Sequence, residues 1–95
     1  MAAYVIVNVE VQDPALYEEY KKASSWIVPK HGGKFIARGG MVEVLEGDWQ
    51  PRRIVILEFE NAEKARAWYR SEDYREPMAL RQRASRGSLI LVEGV

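Results

Sequence analysis

The chain contains no cysteine and only one histidine. The first absence excludes a disulfide framework, thiolate metal ligands and a cysteine nucleophile. The second leaves serines 24, 25, 71, 85 and 88 without an evident histidine partner, so a Ser-His-Asp arrangement is not expected. No carboxylates fall at a spacing that suggests a metal site, and no metal or other cofactor is expected. The paired glycines, Gly32-Gly33 and Gly39-Gly40, do not make a phosphate-binding fingerprint. Net charge of one sign is also missing: 14 Lys and Arg balance 14 Asp and Glu, which gives no reason to expect nucleic acid or an anionic membrane as partner. No apolar run approaches the roughly 20 residues of a membrane span, and the N-terminal residues do not read as a signal peptide. A cytoplasmic location is expected. What 95 residues do allow is one domain, burying roughly 60–70% of its unfolded surface without staples.

The hydrophobic pattern changes period along the chain. Tyr4 to Val11 alternates as a strand, with its valines on one parity. Asp13-Pro14 then offers an N-cap and a first-turn proline. Leu16, Tyr17, Tyr20, Ala23, Ser24, Ile27 and Val28 form one helical stripe, stopped by Gly32-Gly33 beyond His31. Lys34 to Glu46 reads as extended with a bulge at Gly39-Gly40, and the turn Gly47 to Pro51 leads into a strand over Arg53–Glu60. Asn61 caps a helix through Tyr69, and Ser71 caps another turn. A kink and restart are expected at Pro77, with the helical pattern running on through Ala84 to a stop at Gly87. Leu89 to Glu93 is the last strand. The order βαββαβ predicts an α+β, ferredoxin-like sandwich: a four-stranded antiparallel sheet with both helices on one face.

Two helices cover one face of such a sheet, yet strand residues of both parities are apolar. Val55, Leu57 and Phe59 oppose Ile54 and Ile56, and the first strand's valines oppose Tyr4 and Ile6. A solvated face would alternate more cleanly. A second copy of the chain is the simplest cover, so a homodimer joined through its sheet faces is expected.

Charged residues on the strands are the first candidates for chemistry. With a hairpin mouth at Glu46 and Arg53, and the one-residue shift of a bulge at Gly39-Gly40, Arg38 falls opposite Glu60 and diagonal to Glu58, a cross-strand ion pair. Such a pair either neutralises itself at an interface or presents Arg38 to an anionic ligand, with Glu58 orienting it or moving a proton. The second constellation is aromatic. Trp68 and Tyr74 either pack the core or wall a cavity under a kinked helix, with Arg81 as a further positive contact. Arg81, Arg83 and Arg86 also suit a helix C-terminus. His31 reads as a helix-terminal group first, and as a haem ligand or general base second.

Several of these segments resemble a known family. Asp13-Pro14 with Tyr17 and Tyr20 looks like the opening of the domain-of-unknown-function family 1330. Arg38-Gly39-Gly40, Glu46-Gly47-Asp48-Trp49, Glu58-Phe59, Ala67-Trp68-Tyr69, Ser71, Tyr74 and Arg81 follow in the same order. Glu72 stands where similar sequences often have proline, which bears on that turn alone. The resemblance implies the dimeric α/β-barrel superfamily, in which two ferredoxin-like units pair through their sheets. Its relatives include cofactor-independent monooxygenases, lactone isomerases and haem-degrading enzymes, with ligands held between helices and sheet. It implies no catalytic role for any residue here.

Two functions therefore stand at the level of sequence. One is a small protein that binds or converts an aromatic or carboxylated metabolite without metal or nucleotide, using Arg38, Glu58, Trp68, Tyr74 and Arg81. The other is a non-catalytic homodimer with a binding or stress-related role, whose charges hold the interface.

Overall fold

Three helix starts are set by short polar side chains. In the computed structural model, which describes residues 1–95, Asp13 accepts a hydrogen bond from the Leu16 backbone N–H at 3.1 Å and opens α1 (Pro14–Ser24). Asn61 does the same for Lys64 at 2.9 Å and opens α3 (Ala62–Tyr69). Ser71 receives the Tyr74 N–H at 3.2 Å and opens α4 (Glu72–Ala84). Each cap satisfies a backbone donor that the helix itself leaves unpaired, worth about 1 kcal/mol.

The strands are β1 (Ala3–Val11), β2 (Lys34–Arg38), β3 (Arg53–Phe59) and β4 (Ser85–Glu93), antiparallel in the order β2-β3-β1-β4. This is the ferredoxin-like arrangement that the element order predicts. Alternation decides what each strand buries. Val5, Val7 and Val9 of β1 and Val55, Leu57 and Phe59 of β3 face the helices and are buried. Trp68, Tyr74, Phe59, Ile27 and Val9 are the largest fully enclosed side chains. Each contributes roughly 1.5–3 kcal/mol on leaving water. Gly87 is required where β4 passes β1, because a Cβ there would lie 2.0 Å from the Asn8 carbonyl oxygen.

Four local expectations are corrected. The first helix does not run unbroken to His31. It stops at Ser24, and a short α2 (Ile27–Lys30) follows. The ladder fails from Trp26 on, and Pro29, which lacks the N–H that would bond the Ser25 carbonyl, cannot restore it. The extended segment expected over Lys34–Glu46 shrinks to β2, with its irregularity between Phe35 and Ala37 rather than at the double glycine. Residues 39–52 form a long connection without regular structure. α4 runs continuously through Pro77, which removes one bond, that to the Asp73 carbonyl, while the helix buries Tyr74, Pro77, Arg81 and Ala84 along one face. Finally, β4 begins at Ser85, directly after α4.

Candidate functional site

The break between α1 and α2 leaves space above the helix-side face of the sheet. A cavity of about 30 Å³ lies there, floored by Val7, Val55 and Leu57 and walled by Tyr17, Tyr20 and Val28. Phe35, Trp68 and Tyr74 close its other sides. Its polar lining is Arg38, Arg53, Lys21 and Ser24, and no carboxylate takes part. Outside it, Arg38 and Arg53 continue onto an open shelf of about 420 Å³ shared with Glu18, Lys21, Lys22 and Ser25.

Both guanidinium groups are held without a carboxylate. Arg38 donates from Nη2 to Ser25 Oγ at 2.5 Å and lies 4.1 Å from the centre of the Phe35 ring. Ser25 is itself anchored to the Lys21 carbonyl, so the helix break supplies the residue that fixes Arg38. Arg53 sits 5.5 Å over the Tyr17 ring. Its Nε is buried and has no hydrogen-bond partner. Gly39 lies against it: a Cβ at that position would stand 2.0 Å from Arg53 Nη1, and the glycine holds φ at +71°. The glycine after Arg38 therefore makes room for the second arginine. Aromatic-stacked guanidinium groups of this kind, Arg38 exposed and Arg53 half-buried, suit planar anions.

Two phenols form the inner wall. Tyr20 Oη and Tyr74 Oη are 2.8 Å apart, one hydroxyl donating to the other. Burial pushes both above the ordinary tyrosine range, and the positive charge of Arg81 opposes the shift in each. Both therefore stay protonated at neutral pH and serve as hydrogen-bond donors. Arg81 is 7% exposed on α4, is unpaired at Nε, and stands behind the phenols rather than in the cavity wall. Trp68 Nε1 is likewise buried without a partner. Its ring also lines a second cavity of about 230 Å³ against β4.

Arg38, Trp68 and Tyr74 are thus brought together, as their candidacy requires, and Arg81 acts on the group from behind. Glu58 is not part of it. Arg38 pairs with Val55 and Lys34 with Glu58, so Glu58 lies on the sheet face away from the helices and contacts Lys34 at 3.3 Å. Glu60 binds Lys64 at 2.9 Å. The expected ion pair of Arg38 with Glu58 or Glu60 does not form, because the strand ends at Arg38 and residues 39–52 replace a tight hairpin. His31 ends α2 and faces Asp73 of α4 at 3.3 Å, beside Lys30 at 2.7 Å, a tie between two helices. No three His, Asp or Glu side chains converge on one point. Arg53 and Tyr20 are functional candidates that the sequence reading passes over. Parity carried the signal for Arg53, since it shares the face of Val55 and Leu57.

The fold recurs in solved structures. A protein of unknown function from Rhodopseudomonas palustris superposes with a TM-score of 0.78 at 20% identity, over 99% of this chain and 82% of that one. SnoaB, a cofactor-independent oxygenase from Streptomyces nogalater, gives 0.68 at 10% identity, over 99% and 93%. An ethyl tert-butyl ether D family protein from Bacillus halodurans gives 0.59 at 10% identity, over 100% and 99%. At these identities the likeness concerns the fold, that of the dimeric α/β barrels. No curated protein matches the sequence. The profile of the domain of unknown function DUF1330 matches residues 2–95, and the chain belongs to that family.

Proposed function

We propose that this protein binds a small carboxylated metabolite at the mouth of the cavity under α1. The carboxylate is held by Arg53 and Arg38, and the apolar end points toward Val55, Leu57 and Trp68. The observation that carries the reading is Arg53 Nε, buried and unpartnered at the rim of an apolar space with no carboxylate in its lining. A buried donor left unpaired costs about 1–3 kcal/mol, which an acceptor on a ligand relieves. The inner space favours a short aliphatic end over an aromatic ring. About 10–15 Å³ of such volume holds one water, so 30 Å³ takes roughly two heavy atoms. A conversion at this site would draw on the Tyr20 hydroxyl, which can donate to a ligand carbonyl or hold a proton there. The test is calorimetric titration of short carboxylates into the protein and into Arg53→Gln. Loss of charge-assisted hydrogen bonds predicts at least a tenfold weaker Kd in the variant. Wild-type affinity in a folded Arg53→Gln protein refutes the assignment.

We further infer a homodimer joined through the outer sheet faces. Tyr4 and Ile6 of β1, Ile54 and Ile56 of β3, and Ile90 and Val92 of β4 share that face by strand register. Ile90 is 58% and Val92 44% exposed in the single chain. An apolar patch continuous across three strands is uncommon on a monomer. A second copy of the same sheet covers it, and the barrels that share this fold support that choice.

A further inference from the structure

Resting on the carboxylate site above, we propose that its ligand carries two negative charges on a short chain, as a dicarboxylate or a phosphate monoester does. The shelf outside the cavity holds four cations, Lys21, Lys22, Arg38 and Arg53, against one carboxylate, Glu18. Lys21 and Glu18 neutralise each other at 2.9 Å. Lys22, Arg38 and Arg53 have no carboxylate within salt-bridge distance. In a chain whose charges otherwise cancel, with 14 of each sign, three unpaired cations on one shelf are a local excess. Their mutual repulsion is relieved only partly by a monoanion, which leaves two of the three uncompensated. A dianion engages both guanidinium groups and has Lys22 beside it.

Placement supports the same stoichiometry. Arg38 is fixed by Ser25 and the Phe35 ring, and Arg53 by the Tyr17 ring and the bare backbone of Gly39. Arg38 is in place to receive an anion and Arg53 needs only to turn its buried Nε toward it, so a second charge adds affinity at little further ordering cost. The volumes divide the ligand unevenly. The shelf of about 420 Å³ accommodates a head group with its water, whereas the 30 Å³ interior accepts one short apolar end. A ligand matched to this shape is mostly head.

The experiment is calorimetric titration of propanoate, succinate and propyl phosphate at pH 8, at constant ionic strength in a zwitterionic buffer. At that pH the phosphate monoester is fully dianionic. The expected result is that at least one dianion binds tenfold or more tightly than propanoate. That advantage should shrink to about twofold in Arg38→Gln and weaken measurably in the exposed variant Lys22→Gln. Which of succinate and propyl phosphate binds more tightly identifies the head group. Equal affinity for all three ligands overturns the two-charge assignment and leaves the carboxylate site standing. Failure of all three to bind overturns both. Circular dichroism confirms that each variant is folded, and Lys22, exposed on α1, provides a substitution with no core contact to lose.

Discussion

Replacing Gly39 by alanine tests the link between backbone geometry and the site more directly than removing a charge. Gly39 donates its N–H to the Ile54 carbonyl at 2.8 Å, which holds the end of β2 against β3 while φ stays at +71°. An L-residue held in that region costs about 1–2 kcal/mol. The new methyl group would also stand 2.0 Å from Arg53 Nη1 and 2.6 Å from its Cζ, so the guanidinium must move. Moving it forfeits the contact with Tyr17, worth roughly 0.5–1 kcal/mol at a partly exposed site. The sum is a loss of about 1.5–3 kcal/mol. For a domain near 100 residues this lowers Tm by roughly 6–15 °C. Gly40→Ala is the internal control, since nothing lies within 4 Å of its Cβ position and its φ is not positive. Thermal and urea denaturation of both variants measure the difference. In an Arg53→Ala background the Gly39→Ala loss should fall to the backbone part alone, about 1–2 kcal/mol. If Gly39→Ala melts within about 2 °C of Gly40→Ala, the packing of Gly39 on Arg53 does not exist in solution and the two-arginine site loses its support.

Four further outcomes are expected. Tyr74→Phe leaves the Tyr20 hydroxyl without its partner and should cost about 1–3 kcal/mol, while Tyr20→Phe/Tyr74→Phe should cost less than the two single losses added together, which urea denaturation resolves. Both phenols titrate higher in the folded chain than in the unfolded chain, so the folded state binds more protons above about pH 10 and stability falls as pH rises from there. The double phenylalanine variant should flatten that fall, and an unchanged slope would refute the burial argument. Lys30 and His31 hold the Asp73 carboxyl below its usual range, so Asp73 stabilises the fold above about pH 4 and the contribution disappears as pH falls through its lowered value. Asp73→Asn should therefore flatten stability in acid, measured by denaturant titration between about pH 2 and 5. Light scattering after gel filtration should show wild-type particles of about twice 10.9 kDa, and Ile56→Asp should yield the 10.9 kDa chain. Wild-type particles of single-chain mass would refute the sheet-face dimer.

Local chemistry made much of this legible in advance. Asp13, Asn61 and Ser71 mark helix starts because a short oxygen-bearing side chain competes well for the first free N–H groups. The valines of β1 and the apolar residues of β3 reveal a two-faced sheet because a strand repeats every second residue. The failures share a different cause. Arg38 falls opposite Glu60 and diagonal to Glu58 only in a tight hairpin, and that register has no meaning once residues 39–52 leave the sheet. The helix through Pro77 survives because one lost ladder bond is outweighed by the face of α4 that buries Tyr74, Pro77, Arg81 and Ala84. Trp68 and Tyr74 are recognisable as large enclosed aromatics, but the cavity they line is completed by residues from both sides of the break between α1 and α2, which no local pattern marks.

The sequence by itself determined the element order, the caps, the apolar face of each strand, and the balance of charges, all of which depend on neighbours a few residues apart. It also carried the family, through motifs spread over the whole chain. Only the tertiary structure decided which charges meet. Arg38, Ser25 and Arg53 are far apart in sequence, and they converge because β2 ends where α1 breaks and because Gly39 offers no side chain to fill the space between them. A charge total of zero is a property of the composition, whereas an unpaired guanidinium at the edge of an apolar cavity is a property of the fold.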